Sequence, residues 1–450
     1  HNDLSFRKEL DLKKNILITI LWGLLYKSEE IVLFLDKVIN SKESKQIFEE
    51  VLFDKFGYMI LCKHVPDYAL KVLKFYLIKE KEIPERIDWY RDPLSLNHFF
   101  INRYYAIKVL FYNFLNYHED NGLNLIHEII NHATNIWIHT DQPILNGPFL
   151  NRISDHRTPI SQKIQLLDDE LIEVWGDEVV YSWSMPLGIC PNIVKFALSS
   201  LEKWISEQIL NYNRDPSELI TKVLKNTISF SIISVSIISI LHVFNECIEN
   251  ELNIEIDSLI KAIKPIIEKF AFWSLDLTRS IEYGIGLRDY RSQNLEIFFT
   301  LIKFNIKDND LKNELLSKIA QFSEDIFVFF EEEKSCKSLL IDRFAHSRRL
   351  VELTRDINWF PVIIDGKNAL QFRLPKELQN DVEKDFFEEK FTLSSIKNWI
   401  YFSFEANEIK PQYNIEGLLK YIEKIIKKDE KINIPIAFTD LSADRAEVIT

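Results

Sequence analysis

Glycine is scarce in this sequence, which has 10 glycines among 450 residues. An average usage of about 7% would give roughly thirty. Sheet sandwiches and doubly wound nucleotide-binding folds need glycine for tight turns and for close approach of the backbone to a ligand. The scarcity therefore favours helices that are joined by short polar links.

Apolar residues recur at helical spacing along most of the chain. Leu17, Leu21 and Leu24, for example, share one face of a predicted helix. No repeat of fixed period is visible, so we predict an all-α fold, an irregular multi-helix array or α-solenoid-like stack. We predict helices or helix pairs over 28–57, 66–81, 95–117, 122–138, 191–212, 217–227, 229–251, 255–283, 292–305, 309–333, 335–357, 375–390, 393–405 and 415–428.

Two segments depart from this helical pattern. Residues 139–190 are rich in proline and glycine, which predicts one long irregular loop segment. Trp359–Leu374 has β-branched runs on either side of Asp365-Gly366, which predicts a small β-hairpin insert. We therefore divide the chain into an N-terminal helical subdomain (1–138), an irregular loop segment (139–190), a central helical subdomain (191–358) and a C-terminal mixed subdomain with hairpin and helices (359–450).

Charge and cysteine content limit the partners and the compartment. A formal net charge of −13 disfavours general binding to nucleic acid or to an anionic membrane. The 4 cysteines are far apart, unlike those of a zinc site or a disulfide scaffold, so we expect a cytoplasmic protein without a metal. The apolar run 228–244 contains five serines and predicts a buried helix instead of a membrane span. Because the first residue is His1, we expect the chain to be a portion of something larger.

The sequence contains no motif that predicts catalytic, cofactor-binding or metal-binding residues. Gly366-Lys367 lacks the preceding glycine of a phosphate loop. His127 and His132 are five residues apart, about 140° around a helix, so they cannot ligate one zinc ion on the same face. We expect no intrinsic catalysis and no cofactor in this chain.

A hydrolase remains the alternative among enzymes. The segment 139–190 contains acids and histidines that could form acid–base pairs, but it has no nucleophile motif. These residues are Asp141, His156, Asp168, Asp169, Glu170, Asp177 and Glu178.

Large aromatic side chains and acids are concentrated between residues 175 and 183. Amphipathic aromatic side chains are typical anchors of protein interfaces. The candidate partner-binding residues are Trp175, Asp177, Glu178, Tyr181 and Trp183. In the other interpretation, which the sequence slightly favours, Tyr181 and Trp183 clamp the loop onto the helices.

Several short elements between residues 95 and 245 occur together in a known family. They are Asn121-Gly122-Leu123, Asn131-His132-Ala133, Trp137, the run from Trp175 to Trp183, Ala197-Leu198 and Leu201-Glu202-Lys203-Trp204. This succession resembles the helical region of large bacterial STAND or NACHT-type ATP-binding signalling proteins that are linked to anti-phage defence. The resemblance implies an ATPase module elsewhere in the polypeptide, using ATP and Mg²⁺, with this helical portion as arm, sensor or oligomerisation surface.

We therefore expect a helical scaffold, sensor or assembly segment of a large bacterial signalling NTPase. It would act by binding a protein partner or by self-assembly, and by conformational coupling. A hydrolase using the 139–190 segment and a stand-alone helical adaptor are the two alternatives.

Overall fold

A computed structural model gives the architecture of the chain. It describes residues 2–79, 93–96, 104–140, 159–186, 188, 190–250, 255–282, 290–322, 337–364, 367–373 and 375. Apart from residue 375 itself, the predicted helices at 375–390, 393–405 and 415–428 lie outside the described residues.

Helices dominate the part of the chain that the structure describes. Helices α1 to α7 are Asn2–Trp22, Ser28–Asn40, Lys42–Asp54, Gly57–His64, Pro66–Leu77, Tyr104–Tyr117 and Glu119–His139. Helices α8 to α16 are Glu178–Tyr181, Asn192–Leu210, Pro216–Leu224, Phe230–Glu249, Ile256–Ile267, Phe270–Glu282, Glu296–Phe304, Asn309–Ala320 and Lys337–Thr354. The predicted all-α class is confirmed.

Two short antiparallel hairpins accompany the helices. Strands β1 to β4 are Ile160–Gln165, Leu171–Gly176, Trp359–Ile364 and Lys367–Phe372. β1 pairs with β2, and β3 pairs with β4. The second hairpin confirms the predicted insert, although its turn residues 365 and 366 lie outside the described residues.

The first hairpin corrects the prediction of an irregular loop over 139–190. Within the described residues of that segment, the chain forms β1, β2 and α8. Ile164 of β1 and Val174 of β2 are fully buried while residues next to them are exposed. The alternation is weak in the sequence because β1 contains few apolar residues, and the nearby prolines and glycines suggested a loop.

Local sequence signals explain where several helices begin. The Asp215 carboxylate accepts a hydrogen bond from the Glu218 amide at 2.8 Å, and Pro216 is the first residue of α10. The helix predicted over 217–227 therefore begins one residue earlier, at Pro216. The element predicted over 255–283 is a helix pair, α12 and α13, and α12 includes Pro265 and ends two residues later at Ile267.

The gap between the predicted helices 95–117 and 122–138 is shorter than expected, because α7 begins at Glu119. Gly122 lies inside α7, where it packs against the backbone of α6. A Cβ at this position would lie 2.6 Å from the Leu115 amide nitrogen. Glycine is therefore required here by the close approach of two helices and not by a turn.

Neighbouring helices pack in sequence order, and contacts between more distant helices tie them together. α6 packs against both α7 and α9, and α9 packs against α11. The buried apolar residues form one connected core that extends from Leu17 to Leu353. α9 and α11 therefore lie where the earlier and later helices meet.

α11 is the apolar helix that the run 228–244 predicts. Its residues from Phe230 to Leu241 are buried. Among the described helices it is the one with the length and composition to cross a membrane, and 72% of its most apolar window is buried inside the fold. Its buried serines are hydrogen-bonded; Ser236, for example, donates to the Ile232 carbonyl oxygen at 2.9 Å.

Candidate functional site

A group of buried and half-buried charged and polar side chains lies where α9, α11 and α13 meet the segment 290–295. We call it the charged network. Its members are Tyr181, Glu202, Asp276, Arg279, Tyr290 and Arg291. Charged side chains are seldom fully buried unless they are paired, so this group is the most unusual chemical feature of the described fold.

α13 contributes the ion pair at the centre of the charged network. Asp276 and Arg279 are three residues apart, which places them on the same face of the helix. Both side chains have no exposed surface, and the Arg279 Nε atom donates to Asp276 Oδ1 at 2.8 Å. Buried apolar neighbours on α13, such as Trp273, exclude water from the pair.

Arg279 also holds the backbone of the segment 290–295. Its Nη1 atom donates to the Arg291 carbonyl oxygen at 2.6 Å, and Nη2 donates to that of Gln293 at 2.5 Å. Asp276 completes this attachment, because its Oδ2 atom accepts a hydrogen bond from the Leu295 amide at 2.8 Å. One buried ion pair therefore binds three backbone groups of a segment that lies between two helices.

Glu202 on α9 binds the same segment through side chains. Its Oε1 atom accepts hydrogen bonds from the Tyr290 hydroxyl at 2.6 Å and from Arg291 Nη2 at 2.8 Å. The Glu202 side chain is 3% exposed. Asn245 on α11 and Gln293 of the segment exchange amide hydrogen bonds at 2.8 and 3.0 Å.

The electrostatic environment keeps the buried groups in the forms that bind one another. Burial and the negative charge of Asp276 raise the pKa of Tyr181 well above its usual value. Tyr181 therefore stays protonated and donates to Asp276 Oδ1 at 3.1 Å. Burial alone would lower the pKa of Arg279, but the Asp276 carboxylate outweighs it and raises that pKa.

The structure distributes the five predicted partner-binding residues between the surface and the core. Tyr181 and Trp183 are fully buried: Tyr181 belongs to the charged network, and Trp183 packs edge-on against Trp137. Their burial corresponds to the interpretation in which they clamp this segment onto the helices. In this fold they do not present a surface to a partner.

The other three predicted residues are half-buried. Asp177 accepts hydrogen bonds from the Val180 amide and the Trp137 indole, both at 2.9 Å. Asp177 therefore caps the N-terminus of α8 and attaches this helix to α7. The Trp175 amide donates to the Ile228 carbonyl oxygen at 2.7 Å, which holds β2 beside the start of α11. Glu178 lies in the first turn of α8.

Of the acids proposed for hydrolysis, Asp168 and Glu170 both lie beside Lys225, but Asp177 lies apart from them. Asp168 pairs with Lys225 near the turn between β1 and β2, whereas Asp177 follows the far end of β2. β2 has 6 residues, so about 20 Å of strand separates the two carboxylates. Asp141 and His156 lie outside the described residues.

The structure also shows the surroundings of His127, which the sequence analysis considered and rejected as a zinc ligand. His127 is buried on α7, and its Nε2 atom lies 2.9 Å from the Val223 carbonyl oxygen. Burial lowers the pKa of His127. Within the described ranges, no group of three or more potential metal-ligating side chains comes together.

Sequence reasoning missed most of the charged network, because its members are far apart along the chain. Tyr181 and Asp276 are separated by 95 residues, and Glu202 and Arg291 by 89. One local signal was available. Asp276 and Arg279 interrupt the otherwise apolar face of α13, and charges on a buried face need a partner.

Comparisons with protein-family models and with curated proteins find no match to this chain.

Proposed function

We propose that this chain is a helical scaffold or sensor segment of a large bacterial signalling ATPase. It binds a protein partner or another copy of itself and passes the effect to the rest of the polypeptide by a change of conformation. It catalyses no reaction itself. The ATPase belongs to a module that carries its own phosphate loop.

The observation that carries this proposal is the attachment of the segment 290–295 to α9 and α13 by the buried charges of Glu202, Asp276 and Arg279. Removing such charges from water costs several kcal/mol for each ion, and well-packed apolar residues would often stabilise a fold equally well. We propose that in this chain the buried charges instead favour one arrangement of elements over others. The charged network is therefore suited to stabilising one conformation of the chain. Binding of a partner would then shift the chain to a second conformation.

The resemblance to STAND and NACHT-type proteins supports the ATPase part of the proposal. Two stretches that carry the resemblance each contribute one member of the charged network, Tyr181 and Glu202. Trp175 and Glu178 are half-buried on the outside of the first of these stretches. We propose that they take part in contact with the partner.

The experiment begins with the complete reading frame. We expect it to encode a G-x-x-x-x-G-K-[ST] phosphate loop outside the 450 residues. In the complete polypeptide, Glu202→Gln should change the steady-state rate of ATP hydrolysis by at least about fivefold, the lower end of typical coupling between sites. This chain alone should release no phosphate from Mg²⁺-ATP.

The matched control is Glu9→Gln, which removes an exposed partner of Lys13. It should leave the hydrolysis rate unchanged. A reading frame without a phosphate loop would exclude the ATPase. A Glu202→Gln polypeptide that hydrolyses ATP like the wild type would exclude the sensor role, and phosphate release by this chain alone would show that it is an enzyme.

A further inference from the structure

The hairpin of β3 and β4 has two outer edges, because within the described residues no further strand pairs with either of its strands. Just beyond the paired strands, the Arg373 amide donates to the Asn358 carbonyl oxygen at 2.9 Å. In an antiparallel ladder, hydrogen-bonded pairs of residues alternate with pairs that are not hydrogen-bonded. The residues of β4 whose backbone groups point outward are therefore Asn368, Leu370 and Phe372.

The hairpin of β1 and β2 shows that such outward groups bind further backbone in this fold. Leu166 and Glu170 form its last hydrogen-bonded pair, so the same alternation directs the Trp175 amide outward. That amide donates to the Ile228 carbonyl oxygen at 2.7 Å. The outer edge of β1 has the charged Lys163 at its centre, and such a charge discourages pairing with another chain.

The two edges of the second hairpin differ in what they offer to another strand. Pro361 stands at the centre of the outer edge of β3 and has no N–H group, so that edge lacks a donor. Leu370 lies directly opposite Pro361; it keeps its amide, and its side chain is 49% exposed. Ile363, on the same face, is 74% exposed. β4 therefore presents a complete backbone edge beside exposed apolar surface.

Arg373 adds a positive charge at the end of this edge. Its guanidinium lies 5.1 Å from the centre of the Phe360 ring and donates to Gln371 Oε1 at 3.1 Å. No carboxylate among the described residues pairs with it. Side chains alternate along a strand, so Gln371 and Arg373 lie on the face opposite to Leu370. A strand added to β4 would meet apolar surface on one face and a positive charge on the other.

This charge disfavours a second copy of the chain as the added strand. The antiparallel register that pairs all three outward residues of both copies is symmetric about Leu370. It places position 367, which is a lysine, opposite Arg373 of the other copy. Like charges directly opposite each other destabilise an antiparallel pair, whereas an acid at that position stabilises it.

We propose that the free edge of β4 binds an extended acidic stretch of a partner protein. The stretch adds a third strand, and its backbone pairs with Asn368, Leu370 and Phe372. Its alternate side chains are apolar where they cover Leu370 and acidic where they face Arg373. Main-chain hydrogen bonds supply the affinity of such edge pairing, and the alternate side chains supply its specificity. An effect of this binding on ATP hydrolysis rests on the proposed function, whereas the pairing itself does not.

The test uses a short fluorescein-labelled peptide that alternates valine with glutamate, and a second peptide with lysine in place of glutamate. Fluorescence anisotropy measures their binding to this chain. We expect saturable binding of the glutamate peptide, about tenfold tighter than that of the lysine peptide, because attraction to Arg373 replaces repulsion. Arg373→Gln should reduce this preference to about threefold or less.

Leu370→Pro should weaken binding of the glutamate peptide about tenfold, since it removes the central outward amide and an exposed apolar side chain. The hairpin should tolerate this change, because Pro361 already occupies the opposite position. Lys163→Pro is the matched control: it removes an outward amide from β1 and should leave binding unchanged. A glutamate peptide methylated at alternate amide nitrogens cannot complete the ladder, so it should not bind, whatever the folding of the variants.

Three results would overturn the proposal: no saturable binding of the glutamate peptide, equal binding of its methylated form, or unchanged binding by Leu370→Pro. Dimers of the wild-type chain that Leu370→Pro dissociates would also overturn it, because the edge would then bind a second copy. These measurements use this chain without ATP. Their failure is therefore distinguishable from failure of the proposed function, which is tested by the rate of ATP hydrolysis.

Discussion

Arg279 shows how one side chain can bind several parts of a fold. It has no exposed surface and donates to a carboxylate and two backbone carbonyl oxygens, all on different residues. Such a buried guanidinium makes its hydrogen bonds to protein groups instead of water. Each of these hydrogen bonds is therefore affected when another is lost. Loss of the guanidinium would leave Asp276 buried with a negative charge.

Arg279→Met should therefore lower the free energy of unfolding by about 3–5 kcal/mol, the usual effect of removing one partner of a buried pair. Urea denaturation followed by circular dichroism measures this change. Lys27→Met is the matched control, because Lys27 is 66% exposed and its partner Glu30 is 70% exposed. Its effect should stay below about 1 kcal/mol, and similar losses for the two variants would contradict the account.

Glu296 at the start of α14 makes stability depend on pH. Burial alone would raise the pKa of Glu296, but the adjacent His346 ring and the charge of Arg349 lower it from 4.5 to about 2. The His346 Nε2 and Arg349 Nη2 atoms lie 3.3 and 3.0 Å from its two oxygens. Because the folded pKa is the lower one, the stabilisation is complete above about pH 4.5 and is lost as the pH falls towards 2.

Between pH 7 and pH 3, the wild type should therefore lose about 2 kcal/mol of stability relative to Glu296→Gln. Urea denaturation at a series of pH values measures the difference between the two proteins. Glu9→Gln, which alters a fully exposed ion pair, should show no such dependence. Parallel pH profiles for the wild type and Glu296→Gln would show that Glu296 does not contribute in this way.

At the scale of elements, helices were predictable from the sequence where apolar spacing and capping residues agree. α10 has both, with Asp215 as cap and Pro216 as first residue, and it begins where the sequence indicated. The sequence analysis missed β1 because its own residues have little preference for a strand, and it is pairing with β2 that holds them in one. The charged network was missed because only folding brings Tyr181, Glu202 and Asp276 together.

Gly122→Ala tests the contact between two of these elements. A methyl group at this position meets the backbone of Leu115, which cannot move without displacing α6. We expect a loss of about 2 kcal/mol, since overpacking outweighs the gain in helix propensity. The measurement is again the free energy of unfolding.

The control is Gly23→Ala. A Cβ there would meet the end of the flexible Ile31 side chain at 2.9 Å, and that side chain can turn away. Its cost should be clearly smaller than that of Gly122→Ala. Equal costs would mean that the α6–α7 approach is less rigid than the structure indicates.

At the scale of the whole molecule, α9 and α11 connect the two ends of the core, and the charged network lies beside them. Glu202 at one side of the network and Tyr181 at the other do not contact each other directly; they are linked through the segment 290–295, Asp276 and Arg279. If the network acts as one unit, a substitution at Glu202 must also alter the local stability of the chain around Tyr181. The proposed role in conformational coupling depends on this linkage.

Amide hydrogen exchange in Glu202→Gln tests the linkage most directly. We expect faster exchange in peptides covering 290–297 and also in those covering 178–184, while peptides from 28–77 match the wild type. Faster exchange confined to 290–297 would contradict the account, because Glu202 would then hold only its immediate partners.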